Sequence, residues 1–283
     1  MVSKMNVEEL RNYQLAQLEL LDITDEICEK LNLTYYLIGG TLLGAVRHKG
    51  FIPWDADIDI AMPREDYEAF LNYWKENPSA SYFYQHYTTE KNHLLPHATL
   101  KIKNTKVVMK ERLSKYTPQC EGIYMDIFPL DNPPDSPEQQ KKQANKIKQI
   151  KGIIELKAGY QYSSTSFCKK MMKKCIQLVL SPFSLKYLNK QLDNCMKKYS
   201  VKNGQYLVSM ASHYSYTKQL MPAEVYGTPT RILFEDKLFN SPSKVDDYLT
   251  RIYKDYMKLP SGDNLYSILD HIVRVDYRVN EEE

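Results

Sequence analysis

The chain has 283 residues, 43% of them hydrophobic and 26% charged, with a formal net charge of +3, the balance of a soluble globular protein with room for a sizeable core. No apolar run reaches the ~18 to 20 residues of a membrane span and the N-terminus carries no signal-peptide core, so the expected location is cytoplasmic. Cysteines 28, 120, 168, 175 and 195 are odd in number and form no C-x-x-C pair, which argues for reduced thiols and against a structural zinc site.

The first predicted element is a helix over 6–31. Asn6 and Glu9 have the spacing of a capping box, and Tyr13, Ala16, Leu20, Ile23, Ile27 and Leu31 recur three or four apart as a core stripe. The helix leads to an apolar strand, Tyr35–Ile38, and then to Gly39-Gly40-Thr41-Leu42 at the head of a second helical stretch. A glycine turn entering a helix lets backbone N–H groups approach a phosphate, although a double glycine alone reads equally well as an ordinary loop.

The acids that follow give the turn a context. Asp57-Ile58-Asp59-Ile60 alternates acid and aliphatic, so as a strand it turns its carboxylates to one face and its isoleucines to the other. Positions two apart lie ~6.6 Å apart, close enough to converge on one or two divalent cations. Burying both acids without a cation would be costly. A phosphate cradle shortly before an acid pair points to phosphoryl or nucleotidyl transfer.

GGTLLGAVRH at 39–48, GFIPWD at 50–55 and the alternating acids Asp55, Asp57 and Asp59 together resemble the LicD family, phosphotransferases related to fukutin within the nucleotidyltransferase superfamily. The family usually reads WDDDID, whereas this chain has Ala56 in place of the second acid. Position 56 is off parity with 55, 57 and 59, so the metal site is expected to survive the change.

Pro63 is placed to open the next helix, with Tyr67, Phe70, Leu71 and Trp74 on one face and Asn77-Pro78 ending it. Strands are predicted over 82–88 and 98–109, with Asn104-Thr105 as a turn or bulge. Lys101 lies where the resemblance implies a basic residue for a donor phosphate; a solvated surface lysine is the other reading. In Gly122–Asp131, Ile123, Met125 and Ile127 alternate onto a core face and leave Asp126 opposite, an isolated acid in need of a partner. That run again resembles LicD proteins, and the resemblance makes Asp126 the third metal carboxylate. Asp131 is expected to cap the turn before Asn132-Pro133-Pro134.

From 136 to 203 the pattern is helical. Residues 141–198 hold fourteen lysines against Glu155 and Asp193, a local charge of +12 that usually marks a surface facing an anionic partner. Phe167, Met171, Met172, Cys175, Ile176, Leu178, Val179 and Leu180 oppose Lys169, Lys170, Lys173 and Lys174. This reads as a helix on an anionic membrane or, equally, as an ordinary core stripe under a solvated face. With no arginine in the stretch, nucleic acid is not an expected partner. In the last third, YKDYMKLP at 253–260 resembles the family's closing motif. Glu224, Arg231, Phe234, Asp270 and His271 are site candidates whose structural or surface reading has the better odds.

The expected fold is α+β: a nucleotidyltransferase-like mixed sheet with flanking helices and a mainly helical C-terminal part. The expected divisions are a catalytic core at 1–134, a lysine-rich helical segment at 135–205 and a C-terminal part at 206–283 that completes the substrate site. The resemblance implies transfer of phosphocholine, or a related phospho-substituent, from CDP-choline or another CDP-activated donor to a glycan or teichoic acid precursor, by two-metal in-line displacement at the inner membrane face. In this scheme Asp57 and Asp59 hold both metals, Asp126 completes the set, and Asp126 or Asp55 helps remove the acceptor proton. Mg2+ suits the carboxylates, with Mn2+ not separable from it. Gly39, Gly40 and Thr41 cradle the donor diphosphate, Arg47 or His48 adds charge, and Trp54 with tyrosines offers an aromatic box for a quaternary ammonium. Two alternatives stay open: a nucleotidyltransferase modifying a small molecule or protein, and a non-catalytic glycan- or membrane-binding protein.

Overall fold

Helix α1, Val7–Leu31, starts where its capping box places it: Asn6 Oδ1 accepts from the Glu9 amide at 2.9 Å, and the Glu9 carboxylate accepts from the Asn6 amide at 2.7 Å. It stops at Asn32, whose left-handed backbone turns its N–H back onto the Cys28 and Glu29 carbonyls. This is a computed structural model, and it describes residues 5–109, 122–158, 178, 180–201, 204–260 and 272–277.

The central sheet has five strands: β1 (Tyr36–Leu37), β2 (Asp59–Pro63), β3 (Tyr82–Gln85), β4 (Ala98–Ile102) and β6 (Tyr124–Leu130). Their order is β1-β2-β6-β4-β3, antiparallel except that β2 and β6 run parallel. The fold class is therefore α+β with a mixed sheet, as the family resemblance implied. Ile58, Ile60, Met62, Leu100, Met125 and Ile127 share one face and are fully buried. Helix α3, Arg64–Glu76, buries Tyr67, Phe70, Leu71 and Trp74 and follows directly from Pro63, which ends β2. Tyr82 of β3 meets both helices, its ring 6.0 Å edge-on from Trp74 and its hydroxyl donating to Glu19 of α1.

The 98–109 run takes the turn rather than the bulge read at Asn104-Thr105 and divides into two strands with different partners. β4 ends at Ile102, Asn104 takes a left-handed backbone, and β5 (Lys106–Met109) pairs with β11 (Ile272–Asp276) instead of joining the central sheet. The strand expected over 82–88 ends at Gln85, because Thr89 and His86 close a turn on each other.

Helices α4 (Pro137–Ala158) and α5 (Leu185–Met196) pack on each other, followed by a 3₁₀ turn at Lys197–Tyr199. They join the sheet through a buried ion cluster. Arg64 donates to both Asp131 oxygens at 2.7 and 2.6 Å and to Asp193 at 2.8 Å, while Ser200 also donates to Asp131. Asp131 is thus a buried counter-ion, not the turn cap its sequence neighbours suggested: a carboxylate at the end of a central strand meets a buried guanidinium before it meets a loop amide. Several lysines of the basic segment serve the interior. Lys151 donates to the Met210, Ala211 and Ser212 carbonyls and Lys157 to that of Leu180, while Lys197 pairs with Glu68 and Asp193. Most of the apolar-and-lysine stretch 167–180, with Cys168 and Cys175, lies outside the described residues, as does Cys120. Cys28 and Cys195 are buried free thiols.

After 206 short helices alternate with strands: β7 (Tyr206–Leu207), α6 (Tyr216–Gln219), β8 (Met221–Pro222), α7 (Ala223–Tyr226), a hairpin of β9 (Thr230–Phe234) and β10 (Lys237–Ser241), and α8 (Val245–Tyr253). Among its described residues the part expected to be mainly helical carries about as much strand, because Thr230–Phe234 and Lys237–Ser241 pair through a tight turn. The hairpin lies along α1, where Arg231 forks onto Asp25 at 2.7 Å and Lys237 meets Asp22. Among the described residues no helix is long and apolar enough to cross a membrane.

Candidate active site

Register brings the distant acids together. On the parallel pair β2 and β6, Asp59 stands directly opposite Asp126, and across β6 on the other side Asp126 stands opposite Thr99 of β4. The ladder continues one residue earlier, where the Asp126 amide donates to the Ile58 carbonyl at 2.9 Å, so Asp57 enters on the same face as Asp59. The 50–58 loop is held from α1. Gln14 donates to the Ile52 and Asp55 carbonyls, and Gln17 to those of Ala56 and Tyr124. Both glutamines are buried beside the apolar stripe, a pattern visible in the sequence but read there only as core. Ala56 turns away from the acids into a second apolar cluster with Leu10, Tyr13, Val107, Ile123 and Ile272.

The glycine turn lies against these carboxylates. Gly39 has φ +56, which favours glycine, and a Cβ there would come 3.1 Å from Asp59 Oδ2. A Cβ on Gly40 would come 2.4 Å from Asp55 Oδ2. Helix α2 (Gly39–Arg47) thus turns its N-terminal end towards two acids, where its dipole favours negative charge. Burial, then Asp126, then Asp55 push the Asp59 carboxyl well above the ordinary range. Asp57 is pushed well up by burial first and then by Asp59, Asp55 and Asp126. Asp55 is raised by burial, against hydrogen bonds with Asp57 and the Ala56 amide. Asp126 Oδ1 is buried without a hydrogen bond.

No three His, Cys, Asp or Glu side chains among the described residues already converge as ligands of one ion, so meeting on a cation takes side-chain rotation about these strand positions. The donor set nonetheless suits a hard divalent cation: all oxygen, partly shielded from water, mutually repelling, with one carboxylate oxygen unpartnered.

The remaining expected residues fall into two groups. Gly39 donates its N–H to the Tyr248 hydroxyl at 3.2 Å, and the buried Thr41 hydroxyl accepts from the Asp59 amide at 2.8 Å, so both are already engaged in holding the turn. Arg47 donates to the Tyr256 and Lys258 carbonyls and to His48 Nε2, tying down the YKDYMKLP stretch. Burial first, and then Arg47, lower the His48 pKa, and the ring stands edge-on to Trp54 at 5.8 Å. Lys101 is buried, two positions from Thr99 on the face that carries Asp126, and is no solvated surface lysine.

Glu224, Arg231 and Phe234 make their contacts elsewhere: Glu224 with Lys244, Arg231 with Asp25, and Phe234 in the core against Phe51. Asp270 and His271 lie outside the described residues. Tyr248 of α8 was not foreseen, and neither was its ring contact with Tyr226, which in turn meets the Tyr36 ring at a tilt. A separate hollow of about 290 Å³ lies away from the acids, between α4 and α5, with Lys142, Lys146, Lys198 and Cys195 among its lining.

A family model described as LicD/FKTN/FKRP, nucleotidyltransferase domain, matches residues 32–151. The chain is 33% identical over 264 residues to the lipopolysaccharide cholinephosphotransferase LicD of Haemophilus influenzae, covering 89% of this chain and 92% of that one. A shorter match, 48% identical over 40 residues, links it to the ribitol 5-phosphate transferase FKRP of human and mouse, covering 14% of this chain and 8% of theirs.

Proposed function

The chain belongs to the LicD family, and from that membership we propose that it moves phosphocholine, or a related phospho-substituent, from a CDP-activated donor to a hydroxyl of a cell-surface glycan or teichoic acid precursor. The observation that carries the reading is the register of Asp59 against Asp126, which presents two acids remote in sequence, with Asp57, on one face beside the glycine turn. The similarity to a lipopolysaccharide cholinephosphotransferase over most of both chains supports the transferred group and the class of acceptor.

Asp57, Asp59 and Asp126 are the residues that would hold Mg2+ or Mn2+. Bound there, the cations would polarise the transferring phosphoryl group and acidify the acceptor hydroxyl. Asp55, hydrogen-bonded to Asp57, is placed to relay the acceptor proton. Thr41 and Tyr248 fix the turn against β2, so Gly39 and Gly40 keep backbone close to the acids. Lys101 contributes a positive charge on the acidic face. Arg47 acts through the wall it pins at 256–258, and Trp54, braced by His48, offers an aromatic face to a trimethylammonium group.

The test is to incubate the protein with Mg2+, CDP-choline and a glycan-precursor extract and follow the products by mass spectrometry. The reading expects metal-dependent CMP release and an acceptor heavier by phosphocholine. An acceptor that keeps the CMP part would make the protein a nucleotidyltransferase, and absence of metal-dependent CMP release would refute catalysis of this kind. We further propose that lysines of 141–198 attach the protein to anionic membrane. It should sediment with anionic vesicles at low salt, and equal binding to neutral vesicles would refute this.

A further inference from the structure

Three buried polar groups gather around Asp126 without hydrogen bonds of their own. They are Asp126 Oδ1, the Thr99 hydroxyl and both ring nitrogens of His97. Thr99 is 1% exposed and stands opposite Asp126 in the ladder. His97, 6% exposed, lies on the same face two residues earlier and packs against Phe128, the rings tilted at 34° with centroids 4.1 Å apart. Its Nε2 stops 3.4 Å from Asp126 Oδ1, within the reach of an ion pair but not in hydrogen-bonding geometry. Its backbone is fixed as well, because the His97 carbonyl meets His93 Nε2 at 2.8 Å. A buried imidazole with two idle nitrogens is costly, and a small rotation brings Nε2 onto the carboxylate.

We propose that His97 is the positioning residue for Asp126: its Nε2–H is donated to Oδ1, which fixes the carboxylate and leaves its other oxygen free for a divalent cation that Asp57, Asp59 and Asp126 would hold. The tilted contact with Phe128 limits how far the ring can turn and places an apolar side chain beside the bond. His97 does not touch the reacting atoms and acts only through Asp126. The inference rests on the metal reading of the three aspartates given above. Outer partners that orient a ligand typically change metal affinity by about 10–100-fold when removed.

The test measures Mn2+ affinity of the full chain by calorimetry, with thermal unfolding in EDTA as the check on folding. His97→Ala should weaken Mn2+ binding by about tenfold or more. His97→Gln, whose amide nitrogen falls near the place of Nε2, should keep the affinity within about threefold of the unmodified chain, whereas His97→Asn, whose nitrogen falls near Nδ1, should not. Asp126→Asn is the control for the underlying reading and should lose the ion. If Asp126→Asn binds Mn2+ unchanged, the metal assignment itself is wrong. If Asp126→Asn loses the ion while His97→Ala keeps it, the metal assignment stands and the positioning role is refuted. Equal losses in His97→Gln and His97→Ala, together with lowered unfolding temperatures, would reduce His97 to a packing residue and also overturn the proposal.

Discussion

Replacing Asp59 by asparagine should make the metal-free protein more stable and the metal-loaded one less stable than the parent. Asp59 and Asp126 face each other on adjacent strands, which run ~4.8 Å apart. Two carboxylates at about 5 Å repel by roughly 3 kcal/mol at an effective dielectric near 20, and partial exposure reduces that to about 1–3 kcal/mol. For a chain of this size the gain corresponds to a rise of about 2 to 8 °C in unfolding temperature in EDTA. The direction with pH follows from the raised folded-state pKa of Asp59. The folded chain keeps that proton in a window opening at the ordinary value of 3.8, where the unfolded chain releases it, so the parent loses stability as pH climbs through the window. The variant lacks that slope, and its advantage should widen as pH rises above the ordinary carboxylate range. Mn2+ at a hundred times its dissociation constant should stabilise the parent by about 2.7 kcal/mol and leave Asp59→Asn nearly unmoved, which reverses their order. Calorimetric unfolding with and without Mn2+ reads all of this. A variant no more stable than the parent in EDTA, or an equal Mn2+ shift in both, would refute the idea that these acids are strained against each other for a cation.

Other outcomes follow from the same geometry. Ala56→Asp, which restores the usual family motif, should cost about 1–3 kcal/mol in urea unfolding because position 56 turns into an apolar cluster, and kcat should stay unchanged. Arg64→Ala should lower stability by about 3–5 kcal/mol by stranding Asp131 in the interior, and Arg64→Met combined with Asp131→Leu should recover much of the loss. Trp54→Ala should raise the KM for CDP-choline by about two- to thirtyfold, the range of a cation–π contact of about 0.5–2 kcal/mol, and leave an uncharged CDP-polyol donor unaffected.

Parts of this architecture were legible because they are local. The capping box at Asn6 and Glu9, the apolar face of α3 and the parity that separates Asp57 and Asp59 from Ile58 and Ile60 each lie within a few residues and follow from helix or strand periodicity alone. Parity also sorted Asp126 from Met125 and Ile127. The pairing of Asp59 with Asp126 depends on register between strands far apart in sequence, which no local pattern specifies. Asp131 was misread for a similar reason: its neighbours Asn132 and Pro133 look like a turn, while its partner Arg64 is far upstream. At 98–109 a turn and a bulge at Asn104-Thr105 both stayed open, because a left-handed Asn104 is compatible with either. Tyr248 left no signal at all, since one tyrosine among 23 cannot announce that its hydroxyl meets Gly39.

At its turn, where its backbone is left-handed, the β9–β10 hairpin offers Glu235. That one carboxylate accepts from Arg11 of α1 and from the Phe51 amide, while the Glu235 amide donates to the Lys49 carbonyl. Gln14 and Gln17 grip the same loop from the other side, and Tyr248 grips the glycine turn. Arg11, Gln14, Gln17, Glu235 and Tyr248 all lie outside the 32–151 stretch that the family model covers. Excised at those borders, the stretch would retain Asp55, Asp57, Asp59 and Asp126 and lose the struts that aim them, so a minimal fragment would conserve the proposed ligands without their geometry.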